Sequence, residues 1–219
     1  MTEATSQYQG KAAAYFSNAR HDIVAMLATG ATASVLEIGC GTGATGAAVL
    51  AGGKAGRYTG IELMPVAAAE ASVVLTEVVV GNIETMDLTT YHDQFDALII
   101  SEVLEHLTDP WACLIQLAPC LRHGGEIIAS SPNISHHTVI RKLLSGSFEY
   151  SEAGFMDRTH LRWFTPKSFR KMFEAAGFRV RFLGPIRQPR LFSRMLHRIT
   201  FGRFQHLSTA QILVHAIKP

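Results

Sequence analysis

Val35-Leu36-Glu37-Ile38-Gly39-Cys40-Gly41-Thr42-Gly43 runs from an apolar, β-branched stretch straight into three alternating glycines. This stretch predicts a buried strand over 34–38, a tight turn that a ligand can approach without interference from Cβ atoms, and a helix beginning just after it. Gly41, Gly43 and Gly46 also satisfy the G-x-G-x-x-G spacing of dinucleotide-binding proteins, so two kinds of ligand compete for the turn. Charge separates them. Glu37 stands two positions before the first glycine, where it would repel a pyrophosphate and attract, directly or through water, the ammonium of a cationic, amino-acid-bearing cofactor. Glu62 ends a second expected strand 19 residues after Gly43, where a carboxylate accepts hydrogen bonds from ribose hydroxyls in either family.

Working outward, residues 57–62, 77–80, 95–101 and 125–130 are short, apolar and β-branched, and they alternate with helix-patterned stretches such as PVAAAEASVVL and PWACLIQLAPCLR. That alternation predicts a Rossmann-like α/β fold with a mostly parallel, doubly wound sheet and helices on both faces. Strands at 178–183 and 210–217 are expected to close the sheet as an antiparallel pair, after a helix running from Thr165-Pro166 to Gly177. One domain over 1–219 is expected: an N-terminal helix at 11–30, a cofactor-binding core at 34–131, a helical substrate cap at 132–164 and a basic insertion at 186–207. The cap follows from the length of that connection and from its His, Tyr and Arg content.

The 219 residues are 47% hydrophobic and 17% charged, a balance that excludes a disordered or fibrous chain. No apolar run approaches the roughly 20 residues that span a bilayer, and the start MTEATSQYQG lacks the regions of a signal peptide, so a cytoplasmic protein is expected. Cys40, Cys113 and Cys120 are odd in number and stand at no metal-ligand spacing. The net charge of +2 is unevenly spread: eight cationic residues and no acidic one follow Glu174, which leaves twelve cations against all 18 acids before it. Within 187–203, Arg190, Arg194 and Arg198 step along one face of an amphipathic pattern whose other face carries Leu191, Phe192, Met195, Leu196 and Ile199. That pattern suits either a helix packed on its own domain or peripheral contact with an anionic membrane or a phosphorylated, lipid-linked acceptor. Nucleic acid is not expected as a partner, because the basic stretch carries no recognised motif and residues 1–174 are net acidic.

The glycine turn with Glu37, the strand-ending Glu62, Gly81-Asn82-Ile83-Glu84 and Ser101-Glu102-Val103-Leu104-Glu105-His106-Leu107 together resemble the consecutive motifs of class I S-adenosylmethionine-dependent methyltransferases. The resemblance implies S-adenosylmethionine as cofactor. It would be held by Glu37, Gly39, Cys40, Gly41, Thr42, Gly43, Glu62, Leu63, Asn82, Ile83, Ser101, Glu102 and Val103. Asn82 stands where the family commonly has an Asp that accepts from the adenine amino group. Ser131-Pro132-Asn133-Ile134-Ser135-His136, Phe148-Glu149-Tyr150 and Asp157 to Thr165 are similar to a bacterial subgroup associated with polysaccharide and glycolipid assembly, which implies a sugar or lipid-linked acceptor. On the first helix, Tyr15, Phe16 and Arg20 either cover the methionine end, with Arg20 pairing its carboxylate, or pack at the surface.

Methyl transfer is an in-line displacement at a sulfonium carbon, so holding donor and acceptor in line supplies much of the acceleration. An alcohol acceptor must still lose a proton, a task suited to a histidine. His106 follows the fourth strand at the carboxyl-end crevice and is the first candidate for a general base; the alternative is a cap of the short helix beside it. His160 is the second candidate. His136, His137, Tyr150, Asp157 and Arg158 give the cap a polar, partly cationic character suited to substrate binding. No metal is expected, since His136, His137, Asp157 and His160 match no named ligand spacing. The expected activity is O-methylation of a small hydroxylated acceptor such as a sugar or lipid-linked glycan. Its rivals are an NAD-dependent oxidoreductase and a non-catalytic cofactor-binding or membrane adaptor protein.

Overall fold

The computed structural model describes residues 18–186 and 203–219. Seven strands form one sheet in the order β3-β2-β1-β4-β5-β7-β6. They are β1 (Ser34–Ile38), β2 (Arg57–Glu62), β3 (Glu77–Val80), β4 (Phe95–Ser101), β5 (Leu121–Pro132), β6 (Arg179–Pro185) and β7 (Gln211–Ile217). β1 to β5 pair in parallel, and β7 runs antiparallel between β5 and β6. The helices are α1 (His21–Met26), α2 (Ala44–Ala51), α3 (Pro65–Ala71), α4 (Pro110–Leu117), α5 (His137–Leu144) and α6 (Pro166–Ala175).

The central strands read as continuous apolar runs because both of their faces are buried. Leu36, Ile38, Leu98, Ile100 and Ile127 pack on one side with Leu114, Phe169 and Phe173. Their neighbours Val35, Ala97, Ile99 and Ile128 point to the other side and pack with Ile23, Val49 and Tyr58. This alternation fixes the register, because a one-residue slip would exchange the two cores. Local chemistry sets the helix starts. Asp109 accepts from the Ala112 amide ahead of Pro110, and Thr165 and Ser168 form a reciprocal capping box ahead of Pro166.

Several bounds differ from those expected from the sequence. β5 is longer than 125–130, because β7 pairs with it from Glu126 to Pro132 and a register shift beside β4 brings in Leu121. α3 stops at Ala71, short of the β-branched Val73 and Val74, which lie in the turn that follows. In the 11–30 segment, helix is present at His21–Met26. Tyr15, Phe16 and most of the 187–203 stretch, with Arg190, Arg194 and Arg198, lie outside the described residues. No described helix is long and apolar enough to cross a membrane.

The three glycines of the turn are left-handed, with φ of +70° at Gly39, +55° at Gly41 and +82° at Gly43. A Cβ on Gly43 would also meet Val74 Cγ2 at 2.8 Å and Ala71 Cα at 3.2 Å. Gly43→Ala is therefore expected to destabilise the protein by about 1–3 kcal/mol, since strain and overlap act together. A fall in the midpoint of chemical denaturation would show this; an unchanged midpoint would contradict it.

Candidate active site

The carboxyl ends of the parallel strands open into a cleft of about 1090 Å³, at the point where the strand order reverses between β1 and β4. Of the residues expected there, Arg20, Glu37, Gly39, Cys40, Gly41, Glu62, Leu63, Asn82, Ile83, Ser101, Glu102, Val103, His106, Asp157 and His160 line it. Thr42 and Gly43 belong to the turn behind this wall. His136, His137, Tyr150 and Arg158 stand outside the lining.

Glu37 and Glu62 end adjacent strands, and their carboxylates are treated differently by their surroundings. Glu37 is 3% exposed, and burial pushes its carboxyl up to about 7, against the opposing effect of the Tyr58 hydroxyl, which donates to Oε2 at 2.8 Å. Glu62 accepts from the Gly41 amide at 2.8 Å and the Met64 amide at 2.9 Å. Burial raises it, and those two amides pull it back. One oxygen of Glu62 thus pins the glycine turn and the other holds the start of α3, leaving lone pairs on both for a ligand. Asn82 Oδ1 accepts from the Glu84 amide at 3.0 Å, which orients its side chain in the wall.

Arg20 is gripped on two sides. Asp22, which no sequence pattern singles out, takes Nε at 3.0 Å and Nη2 at 2.8 Å in a forked pair. Nη1 donates to Ser101 Oγ and, at 3.0 Å, to Ser130 Oγ. Glu102 is held beside it at φ +55°, a left-handed conformation maintained by Ser130 Oγ at 2.7 Å and Gln211 Nε2 at 3.0 Å, both donating to its carboxylate.

The cap is tied to the loop after β4 through the backbone: the amides of Leu161 and Arg162 donate to the Glu105 carbonyl at 2.8 and 2.9 Å. Those bonds bring His160 against His106, their ring centroids 4.7 Å apart and edge to face. The sequence gives no sign of this pairing across 54 positions. His106 Nδ1 lies 3.1 Å from the Thr159 carbonyl, an acceptor only, so the neutral ring carries its proton on Nδ1 and its basic lone pair on Nε2. His106 is also the last residue of the short 3-10 turn Leu104–His106, whose caps are Val103 and Leu107 and which has no side-chain cap hydrogen bond. Asp157 shapes the turn before His160 by accepting from the Thr159 amide and hydroxyl at 3.0 and 2.8 Å.

The remaining cap residues serve other ends. His136 caps α5 and stacks on Phe155 at 5.1 Å, His137 meets the Leu207 carbonyl at 2.9 Å, and Arg158 pairs with Glu152 at the surface. Tyr150 joins Phe148 and Trp163 in an aromatic group on the outside of the cap. His136, His137, Asp157 and His160 therefore do not converge. The group that does converge is Glu105, His106 and His160, whose ligand atoms all lie within 4.8 Å of one another.

A Rossmann-like sheet with one antiparallel strand, a left-handed glycine turn and acids ending its first two strands defines an S-adenosylmethionine-binding protein. The chain belongs to the methyltransferase domain family, whose profile matches residues 8–182. It is 29% identical over 89 residues to a ubiquinone biosynthesis O-methyltransferase of Aeromonas salmonicida, covering 41% of this chain and 37% of that one. Two further relatives of the same name are covered over 61% and 58% of their length, so the chain spans about two fifths to three fifths of these curated relatives. A methyltransferase structure from Archaeoglobus fulgidus shares the fold at a TM-score of 0.65 and 19% identity, covering 91% of this chain and 90% of that one. The [4+2]-cyclase SpnF does so at 0.64 and 18%, covering 90% and 80%. Fold alone thus does not name the reaction, and the family match favours the methyltransferase reading over the oxidoreductase one.

Proposed function

We propose that the protein transfers the methyl group of S-adenosylmethionine to an oxygen of a small hydroxylated acceptor, a sugar or a lipid-linked glycan. The His106–His160 pair would be where the acceptor loses its proton. The observation that carries this reading is the edge-to-face contact of the two imidazoles in the wall of the cofactor cleft, with the His106 tautomer set by the Thr159 carbonyl. A ring so held presents Nε2 as a base without first having to reorient. The name shared by the curated relatives supports oxygen as the receiving atom. Purified protein, methyl-labelled cofactor and a cell extract test this reading. Label in a base-stable ether of a hydroxylated compound is expected, and label confined to amines would overturn it.

On this reading Glu37 receives the cofactor's ammonium, and a pH dependence follows. The free carboxyl titrates at about 7, and a nearby cation favours its ionised form, so the site releases a proton on binding below that pH. The dissociation constant for S-adenosylmethionine is expected to rise about tenfold between about pH 8 and about pH 6, as one proton becomes linked to binding. Titrations at the two pH values check this, and a flat profile would remove Glu37 from the role.

A further inference from the structure

Glu105 presents an unusual physical problem. Its side chain is 1% exposed, and neither carboxylate oxygen makes a hydrogen bond of normal geometry among the described residues, the Ser131 hydroxyl beside it being the one neighbouring side-chain donor that favours its ionised form. An ionised carboxylate in that position is costly unless something compensates it. One solution is a proton: burial, and then the neighbouring Glu102, push this carboxyl well above the usual carboxylate range. The surroundings offer a second solution. His106 and His160 each turn Nδ1 toward a backbone carbonyl, Thr159 at 3.1 Å and Phe155 at 3.4 Å. That arrangement sends the Nε2 lone pairs the other way, as the outer hydrogen bonds of metal-bound histidines do.

We infer that Glu105, His106 and His160 form a site for a divalent transition cation in the wall of the cofactor cleft. Ligands bound at about 2.1 Å stand at most about 4.2 Å apart across a metal, so a set already within 4.8 Å closes with small side-chain movements. Two imidazoles and one carboxylate favour a borderline cation such as Zn2+ or Mn2+ over Mg2+ or Ca2+, which prefer oxygen alone. Three protein ligands leave coordination positions open toward the cleft, as in catalytic rather than purely structural sites.

The chemical consequence rests on the oxygen-methylation reading above. An acceptor hydroxyl bound at an open position loses its proton more readily, and that proton leaves to solvent water. The oxygen then forms its bond to the methyl carbon while the carbon–sulfur pair stays on sulfur, giving the methyl ether, S-adenosylhomocysteine and one released proton. With the cation in place the imidazoles are ligands; in stripped protein His106 Nε2 remains as the base.

Calorimetry on the full chain, stripped with a chelator and titrated separately with Zn2+, Mn2+ and Mg2+, tests the site. One equivalent of Zn2+ or Mn2+ per chain is expected, with Mg2+ at least tenfold weaker. Glu105→Gln and His160→Ala are expected to weaken uptake by about 10- to 100-fold. Unchanged S-adenosylhomocysteine binding by Glu105→Gln would show that its fold is intact. No stoichiometric uptake by the wild type, or equal uptake by Glu105→Gln, overturns the site. Methyl transfer undiminished by the chelator overturns its catalytic use. A cation bound as expected with no ether formed under any condition leaves the site standing and removes the oxygen-methylation reading.

Discussion

Replacing His106 with Ala is expected to lower the rate of methyl transfer by about 10²–10⁴-fold, the range lost when a positioned proton acceptor is removed. Cofactor affinity should change little, because the groups around the glycine turn are Glu37, Glu62 and Asn82 rather than His106. The effect belongs in kcat at saturating cofactor. Single-turnover transfer from methyl-labelled cofactor reads it directly, alongside calorimetric binding of S-adenosylhomocysteine to show an intact pocket. His160→Ala should follow in the same direction, since the two rings pack against each other. Wild-type turnover in both variants would show that the acceptor is prepared elsewhere.

Glu62→Ala should act on binding. The carboxylate already accepts from the Gly41 and Met64 amides, and a ribose diol would complete its hydrogen bonding. Hydrogen bonds to a charged group are worth about 1.5–3 kcal/mol each, so losing the ribose contacts and loosening the turn should cost about 2–4 kcal/mol of cofactor affinity. That is roughly a 30- to 1000-fold rise in dissociation constant. Glu62→Gln keeps one acceptor oxygen and should fall between the two. Near-wild-type affinity in Glu62→Ala, measured with S-adenosylhomocysteine, would mean that the ribose is held by other groups.

The fold was legible wherever burial on both faces leaves a continuous apolar run. β1 to β4 fall on the residues their composition marks, and the antiparallel closing pair β6 and β7 falls on the two late apolar stretches. Strand ends were less legible. The extra length of β5 depends on its partner β7 and on a register shift beside β4, neither of which is a local property. The cofactor side of the site is local as well: Glu37 and Gly39 to Gly43 are contiguous, and Glu62 ends the next strand. The acceptor side is made by tertiary contact. His160 reaches His106 because two amides of the cap bond to the Glu105 carbonyl, and sequence spacing contains no record of that. Glu105 was hidden for the same reason, since an acid between Leu104 and His106 reads as a surface residue until its burial is seen. Tyr58 sits in a strand like any buried aromatic, and only its 2.8 Å bond to Glu37 marks it.

Calorimetric titration of the purified protein with S-adenosylmethionine, S-adenosylhomocysteine and NAD in turn tests the pocket most directly. One site per chain for each of the first two ligands, and no heat from NAD, is the expected result. Tight uptake of NAD, with neither sulfur ligand bound, would contradict it.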